Sequence, residues 1–272
     1  MINVTGLTIY PIKSTFGVDL EWTSIEKRGL QYDRRMSLFS TEHKQITGRD
    51  FPALLDVTCR IDTDCIVISA PNQVDLVIDD SAWTGDKVNV TVFDDPAVGV
   101  VANSIVCKWF KTYLNTECRL LLIDDRGQRV LPTSVGGQPG DIVSFADECP
   151  ILLVSAESLD DLNGRLEHSI PMSRFRPNIV VKSGEAFSED QWKTIVIGDT
   201  EFEVMQQCQR CVFTTIDLET KEKHPQQEPL RTLSTYRRHV DGGVAFGVHL
   251  VCRAPGTIRV GDPVIVTSRL TI

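Results

Sequence analysis

The stretch Thr194-Ile-Val-Ile-Gly-Asp-Thr-Glu-Phe-Glu-Val-Met205 decides the fold class. It holds two short apolar runs rich in β-branched residues, 194–197 and 202–205, with turn-forming residues between them. Each is too short for a helix, and the spacing is that of consecutive strands. Working outward, residues 178–182, 212–216, 244–251 and 258–266 repeat the pattern, and only a short helix over 229–237 breaks it. Many short strands joined by turns predict a β-barrel or a strongly curved sheet rather than a doubly wound one.

Further upstream, residues 151–154 and 118–123 read as buried strands. Residues 156–167 read as an amphipathic helix with Leu159, Leu162 and Leu166 on one face and Ser155 or Ser158 as its cap. Apolar residues Val101, Ile105, Trp109, Phe110 and Leu114 recur near helical spacing, which predicts a helix over 96–114. The first third is sheet-rich, with strands expected at 4–12, 54–61, 65–70, 74–78 and 88–93. Residues 131–141 form a Gly/Pro loop, either the rim of an active site or a plain mobile connection. The expected architecture is mainly β with a few helices: a sheet-rich N-terminal domain over 1–120 and a β-barrel domain over 121–272, tightly packed, with the boundary within 115–130.

The chain has 272 residues, 42% hydrophobic and 24% charged, which excludes disorder as the main state. Lys and Arg number 28 against 37 Asp and Glu, a net charge of -9, which argues against a broad footprint on nucleic acid or an anionic membrane. Any anion site must be local. The N-terminus lacks the basic and apolar regions of a signal peptide, and no stretch approaches the roughly 20 apolar residues of a membrane span. A cytoplasmic address and reduced cysteines are therefore expected.

Phosphate-loop, dinucleotide-binding, zinc-protease and serine-hydrolase signatures are missing. The five histidines, at 43, 168, 224, 239 and 249, show no ligand spacing and read as surface or satisfied core residues. The sharpest local feature is Cys208-Gln-Arg-Cys211. Such a pair could belong to a structural zinc site, to a redox dithiol, or to two partly buried cysteines spaced by accident. Arg210 adds chemistry, because a guanidinium beside a thiol favours the thiolate, the metal-ligating form. A second basic cluster, Ser173-Arg-Phe-Arg-Pro-Asn178, precedes a strand. Arg176 with Lys13, Ser14 and Arg34 would clamp a phosphate if the fold gathers them; otherwise they are separate surface charges.

The ordered motifs Tyr10-Pro-Ile-Lys-Ser14, Arg174-Phe-Arg-Pro-Asn178, Cys208-Gln-Arg-Cys-Val-Phe-Thr-Thr-Ile-Asp217, Pro229-Leu-Arg-Thr-Leu233 and Pro255-Gly-Thr-Ile-Arg-Val-Gly-Asp262 resemble MOSC-domain proteins with their N-terminal β-barrel domain. Among these the chain is most similar to amidoxime-reducing components and bacterial reductases of N-hydroxylated compounds. The resemblance implies a molybdenum cofactor, with Cys211 as catalytic residue and metal ligand and Cys208 as a non-ligating neighbour. Lys13, Ser14, Arg34, Arg176, Asn178 and Arg210 would bind the cofactor. The implied reaction is two-electron reduction of an N–O bond in hydroxylamines, amidoximes or N-hydroxylated bases. Electrons would come from a separate ferredoxin-like or cytochrome b5-like donor, since the appended iron–sulfur cysteine pattern is missing. The alternative is a non-catalytic carrier of molybdenum cofactor or sulfur. Asp147 and Asp217 are candidates for proton handling or for structural capping. Glu148 departs from a small hydroxyl residue in relatives, and Arg35 could alter substrate access.

Overall fold

The structure is a computed structural model that describes residues 1–93, 95–123 and 129–270. Its centre is a curled eight-stranded sheet. In spatial order its strands are Val18–Leu20, Asn3–Ile9, Ile179–Lys182, Ile151–Ser155, Ala245–Ala254, Thr200–Gln209, Trp192–Ile197 and Val264–Arg269. The strands foreseen at 194–197 and 202–205 form an antiparallel hairpin with Ile197 opposite Thr200. The ladder between Thr200–Gln209 and Ala245–Ala254 slips register at three places. Such bulges bend a strand and tighten its twist, which is what curls the sheet.

Period-two alternation explains why Ile151–Ser155 is buried on both faces. Ile151 and Leu153 enter one core with Leu7, Ile9, Trp192, Phe202 and Leu250. Leu152 and Val154 enter a second with Leu162, Phe175, Cys208, Leu233 and Phe246. The helix Ala156–Asn163, capped by Ser155 Oγ on the Ser158 amide, connects this strand to its parallel neighbour Ile179–Lys182. In the middle of Ala245–Ala254, Gly247 has φ +78°, and a Cβ there would stand 2.7 Å from the Leu153 carbonyl oxygen. Gly247→Ala is therefore expected to cost about 2–3 kcal/mol, read from the shift of the urea unfolding midpoint.

A five-stranded sheet, ordered Trp83–Val92, Asp95–Ala102, Arg119–Leu122, Met36–Phe39 and Gln45–Ile46, belongs to the first half of the chain. Its core includes Leu38, Leu54, Ile68, Val106, Phe110 and Leu120. The two halves are sewn together: Asn3–Ile9 pairs with Ile179–Lys182, and Trp22–Glu26 pairs with Gly256–Arg259. Within the expected boundary region, residues 124–128 lie outside the described residues.

Several elements differ from expectation. The helix expected over 96–114 is a strand, Asp95–Ala102, followed by a helix, Ser104–Leu114. Val98, Val100 and Val101 favour the strand. Asn103 then starts the helix by accepting from the amides of Ile105 and Val106 at 3.0 and 3.1 Å. The strand expected over 212–216 is a 3-10 turn, Val212–Thr215. There the Thr214 and Thr215 hydroxyls donate back to the carbonyls of Cys211 and Val212, closing the chain on itself. Residues 54–61 divide into a 3-10 turn, Pro52–Asp56, and a strand, Thr58–Ile61. The helix after Ser155 ends at Asn163, earlier than its apolar pattern suggested.

Candidate active site

A cleft of about 570 Å³ opens where the two halves meet. Lys13, Ser14, Arg34, Arg176, Asn178, Arg210 and Cys211 all line it. The fold therefore gathers every residue of the expected clamp, which spacing alone left open. Pro132, Ser134 and Val135 also line it, so the Gly/Pro loop is a rim and not merely a connection.

The basic wall is built on Tyr10, at the end of the first strand. Arg34 lies 4.5 Å and Arg176 3.9 Å from the ring centroid, so one aromatic face system holds two guanidinium groups. Burial pushes the Tyr10 hydroxyl up to about 12, so it stays neutral while donating to the Pro177 carbonyl at 3.2 Å. Asp33 fixes this corner, accepting from the Tyr10 amide at 2.8 Å and from Arg34 Nη1 at 2.6 Å. Arg34 Nη1 also donates to Asn178 Oδ1 at 2.9 Å. The Asn178 amide donates to the Thr8 carbonyl at 3.1 Å. Both ends of Asn178 are thus used within the protein, and it orients Arg34 from its place at the head of Ile179–Lys182.

Phe175, stacked on Phe246 with centroids 4.0 Å apart, anchors the turn that presents Arg176. Arg176 Nη1 donates to the Thr15 carbonyl at 2.7 Å, while its Nη2 is buried without a partner. Burial, reinforced by Arg34, pulls the Arg176 guanidinium down to about 10. Ser14, Arg34 and Arg176 all have left-handed backbone, with φ of 71°, 47° and 55°. Non-glycine residues hold that conformation only where their surroundings impose it, and such strain clusters at ligand clamps.

Lys13 is buried at the same wall, donating to the Phe145 carbonyl at 2.9 Å and to Asp147. Arg49 Nη2 donates to the other Asp147 oxygen at 2.8 Å. Burial alone would raise the Asp147 carboxyl, but Lys13 and Arg49 overcome it and hold the group at about 2. A carboxyl more acidic folded than unfolded adds stability that is complete above about pH 4 and lost as pH falls through its folded value. Wild type is expected to exceed Asp147→Asn in urea resistance at pH 7, with the gap closing between about pH 4 and pH 2. A gap that ignores pH would remove the ion pair as its cause. Buried Arg129 fastens this loop from behind by donating to the carbonyls of Ser144, Ala146 and Asp147.

The two thiols have different surroundings. Cys208 is buried, and Arg210 Nη1 donates to its sulfur at 2.8 Å while Nη2 donates to the Phe175 carbonyl at 2.7 Å. Burial opposes the Cys208 thiolate, yet Arg210 and His249 bring its pKa below the ordinary value. The guanidinium expected to favour a thiolate beside it acts on Cys208. Cys211 is exposed to the cleft, and its carbonyl caps the Val212–Thr215 turn. Asp217 does not line the cleft. It accepts from the amides of Glu219 and Thr220, both at 2.9 Å, and faces Arg174, which braces the same turn through the Thr214 carbonyl. Arg35 also turns away, to the Ile123 carbonyl at 3.2 Å. Arg49 and Arg129 went unread in the sequence, since no local spacing marks them; Tyr10 was read only as part of a motif, and His249 only as a surface or core histidine.

A family model described as the MOSC N-terminal beta barrel domain matches residues 1–117, and one described as the MOSC domain matches residues 140–265. The human protein named mitochondrial amidoxime-reducing component 1 is 32% identical over 277 residues, spanning 96% of this chain and 82% of its own length. The chain belongs to the MOSC-domain family. Rat mitochondrial amidoxime reducing component 2 is 34% identical, with the same coverage of both chains. A tomato molybdenum cofactor sulfurase is 29% identical over 96% of this chain and 35% of its own length. The last of these names connects a relative of the chain with the molybdenum cofactor. The cleft suits such an anionic, phosphate-bearing group. Its lining carries Lys13, Arg34, Arg49, Arg176 and Arg210 against Asp95, Asp147 and Glu148, a local cationic excess in a chain of net charge -9. Arg176 Nη2 and Arg210 Nε, both buried and unpartnered, are donors still to be satisfied. Among the described residues no helix is long and apolar enough to cross a membrane.

Proposed function

We propose that this MOSC chain is a molybdenum-cofactor-dependent reductase of N–O bonds in hydroxylamines, amidoximes and N-hydroxylated bases, fed by a separate ferredoxin-like or cytochrome b5-like donor. The observation that carries this reading is an exposed Cys211 in the same cleft as a strained, desolvated arginine wall with an unpartnered guanidinium nitrogen. Lys13, Ser14, Arg34, Arg176 and Arg210 would hold the pterin phosphate, with Asn178 keeping Arg34 in place. Charge-assisted hydrogen bonds from buried donors are the strong kind, so a few suffice. Cys211 would ligate molybdenum through its thiolate. When bound, the cofactor supplies the two-electron, oxygen-accepting chemistry. The chain's residues orient it, seat the substrate beneath the 131–141 rim and handle protons. Domains dividing near residue 120 and a cytoplasmic address belong to the same reading.

The test is purification from a host that makes molybdenum cofactor, with metal analysis, pterin fluorescence, and turnover of benzamidoxime or 6-hydroxylaminopurine with an artificial electron donor. Stoichiometric molybdenum with turnover is expected. Stoichiometric molybdenum without turnover would leave the cofactor carrier, the reading that the likeness to the tomato sulfurase favours. Protein free of molybdenum and pterin would sink both.

A further inference from the structure

Among the described residues one histidine is buried, His249, in the middle of the strand Ala245–Ala254. Its sheet neighbours Val248 and Leu250 point into the large core, so period two sends the imidazole to the other face, where it lines the cleft. Its cross-strand partners are Gln206 and Leu152. Charged and titratable groups reach the ring from two sides. Glu148 and Cys149 come from the loop before Ile151–Ser155, and Cys208, with Arg210 on its sulfur, comes from the end of Thr200–Gln209.

The arrangement sets a carboxylate at ion-pair distance from an imidazole. Glu148 Oε2 stands 3.5 Å from His249 Nδ1, an ion-pair approach with no hydrogen bond between them, and accepts from Gln206 Nε2 at 3.2 Å. The Glu148 side chain is 43% exposed and the His249 side chain 9%. A solvated carboxylate thus leads to a buried imidazole on the cleft lining. No residue assigned so far gives the cleft a proton donor suited to neutral pH: Lys13 is tied to Asp147, the arginines stay charged, and Asp147 is too acidic.

We propose that His249 is the proton donor of the site, handing its proton to the oxygen that leaves the substrate nitrogen, with Glu148 positioning and recharging the ring. The inference rests on the reductase reading. The balance is R–NH–OH plus two electrons and two protons giving R–NH2 and water. The N–O bond breaks, the electrons come from the separate one-electron donor protein, one proton comes from His249 and the second from water. Burial works against the charged ring, but the Cys208 thiolate and the hydrogen bonds of Cys149 and Cys208 hold its pKa well above the ordinary histidine value. The shift favours the imidazolium, and activity falls as pH rises through the His249 value.

The experiment compares cofactor-loaded wild type, His249→Gln and Glu148→Gln by molybdenum and pterin content, by kcat against pH with benzamidoxime, and by ¹⁵N NMR titration of the His249 ring. His249→Gln is expected to keep its metal and KM, lose about 100-fold in kcat and lose the alkaline limb of the profile. Glu148→Gln moves that limb to lower pH, and the wild-type ring titrates above the ordinary histidine range. An unchanged kcat and profile in fully loaded His249→Gln, or a ring already neutral at pH 7, overturns the proposal. Should His249→Gln fail to load, the Glu148→Gln limb and the wild-type ring titration decide it. Loaded wild type without turnover brings down the reductase reading and this one together, whereas turnover indifferent to His249 brings down this one alone.

Discussion

Cys211→Ser is expected to give a folded chain that retains neither molybdenum nor N–O reductase activity, with a loss beyond the roughly 10–100-fold that removing a supporting contact costs. Folding should survive because Cys211 is exposed and acts on the Val212–Thr215 turn through its backbone carbonyl, which serine supplies equally. A serine hydroxyl is not a soft, anionic sulfur ligand, so under the proposed ligation the metal would lose its protein thiolate. Cys208→Ser is expected to keep its molybdenum, because that sulfur is buried against Arg210 and His249. Metal analysis on the two variants, normalised to folded protein by circular dichroism, checks the contrast. Equal metal loss in both would point to a role for the cysteines as a pair.

Arg176→Ala is expected to weaken cofactor retention by about 2–5 kcal/mol, the range for truncating one partner of a buried, hydrogen-bonded charge pair. The same change should alter the stability of the cofactor-free chain by only about 1 kcal/mol. Without the cofactor, Arg176 has a hydrogen bond to the Thr15 carbonyl and its stacking on Tyr10. Against these stand a buried unpartnered nitrogen and repulsion from Arg34. Removing the side chain relieves roughly what it forfeits. Arg176→Lys should recover little, since an ammonium cannot span the fork that a planar guanidinium offers. Pterin fluorescence after gel filtration and urea unfolding of cofactor-free protein separate the two effects. Full pterin retention in Arg176→Ala would remove it from the clamp.

Much of the architecture was legible because it is local. The hairpin of 194–205, the double-sided burial of Ile151–Ser155 and the Ser155 cap follow from alternation and capping chemistry within a few residues. Local signals failed where two tendencies overlapped, as at 96–114, where helical spacing of a few apolar residues hid a β-branched run that Asn103 cuts off. They failed again at 212–216, where threonine hydroxyls favoured a turn over an extended strand. The motif order read from the chain named residues of the clamp, but not how they are held. Tyr10 as a shared platform, Asn178 as a brace and Arg129 behind the Asp147 loop all depend on partners far away in sequence.

Strand content, turn positions, the family motifs and the acidic balance are properties of neighbouring residues and of composition, so the chain carries them whatever its fold. Which charges meet is a different matter. Arg210 stands two residues after Cys208 in the sequence and directly before Cys211. Only the curl of the sheet, which buries Cys208 and leaves Cys211 in the cleft, assigns the guanidinium to the first. His249 looked like an ordinary core histidine until strand pairing set it against Glu148, Cys149 and Cys208. The reason is physical: periodicity arises along the backbone, whereas pKa values, orphaned donors and strained dihedrals arise from low-dielectric contacts between segments that the tertiary fold alone brings together.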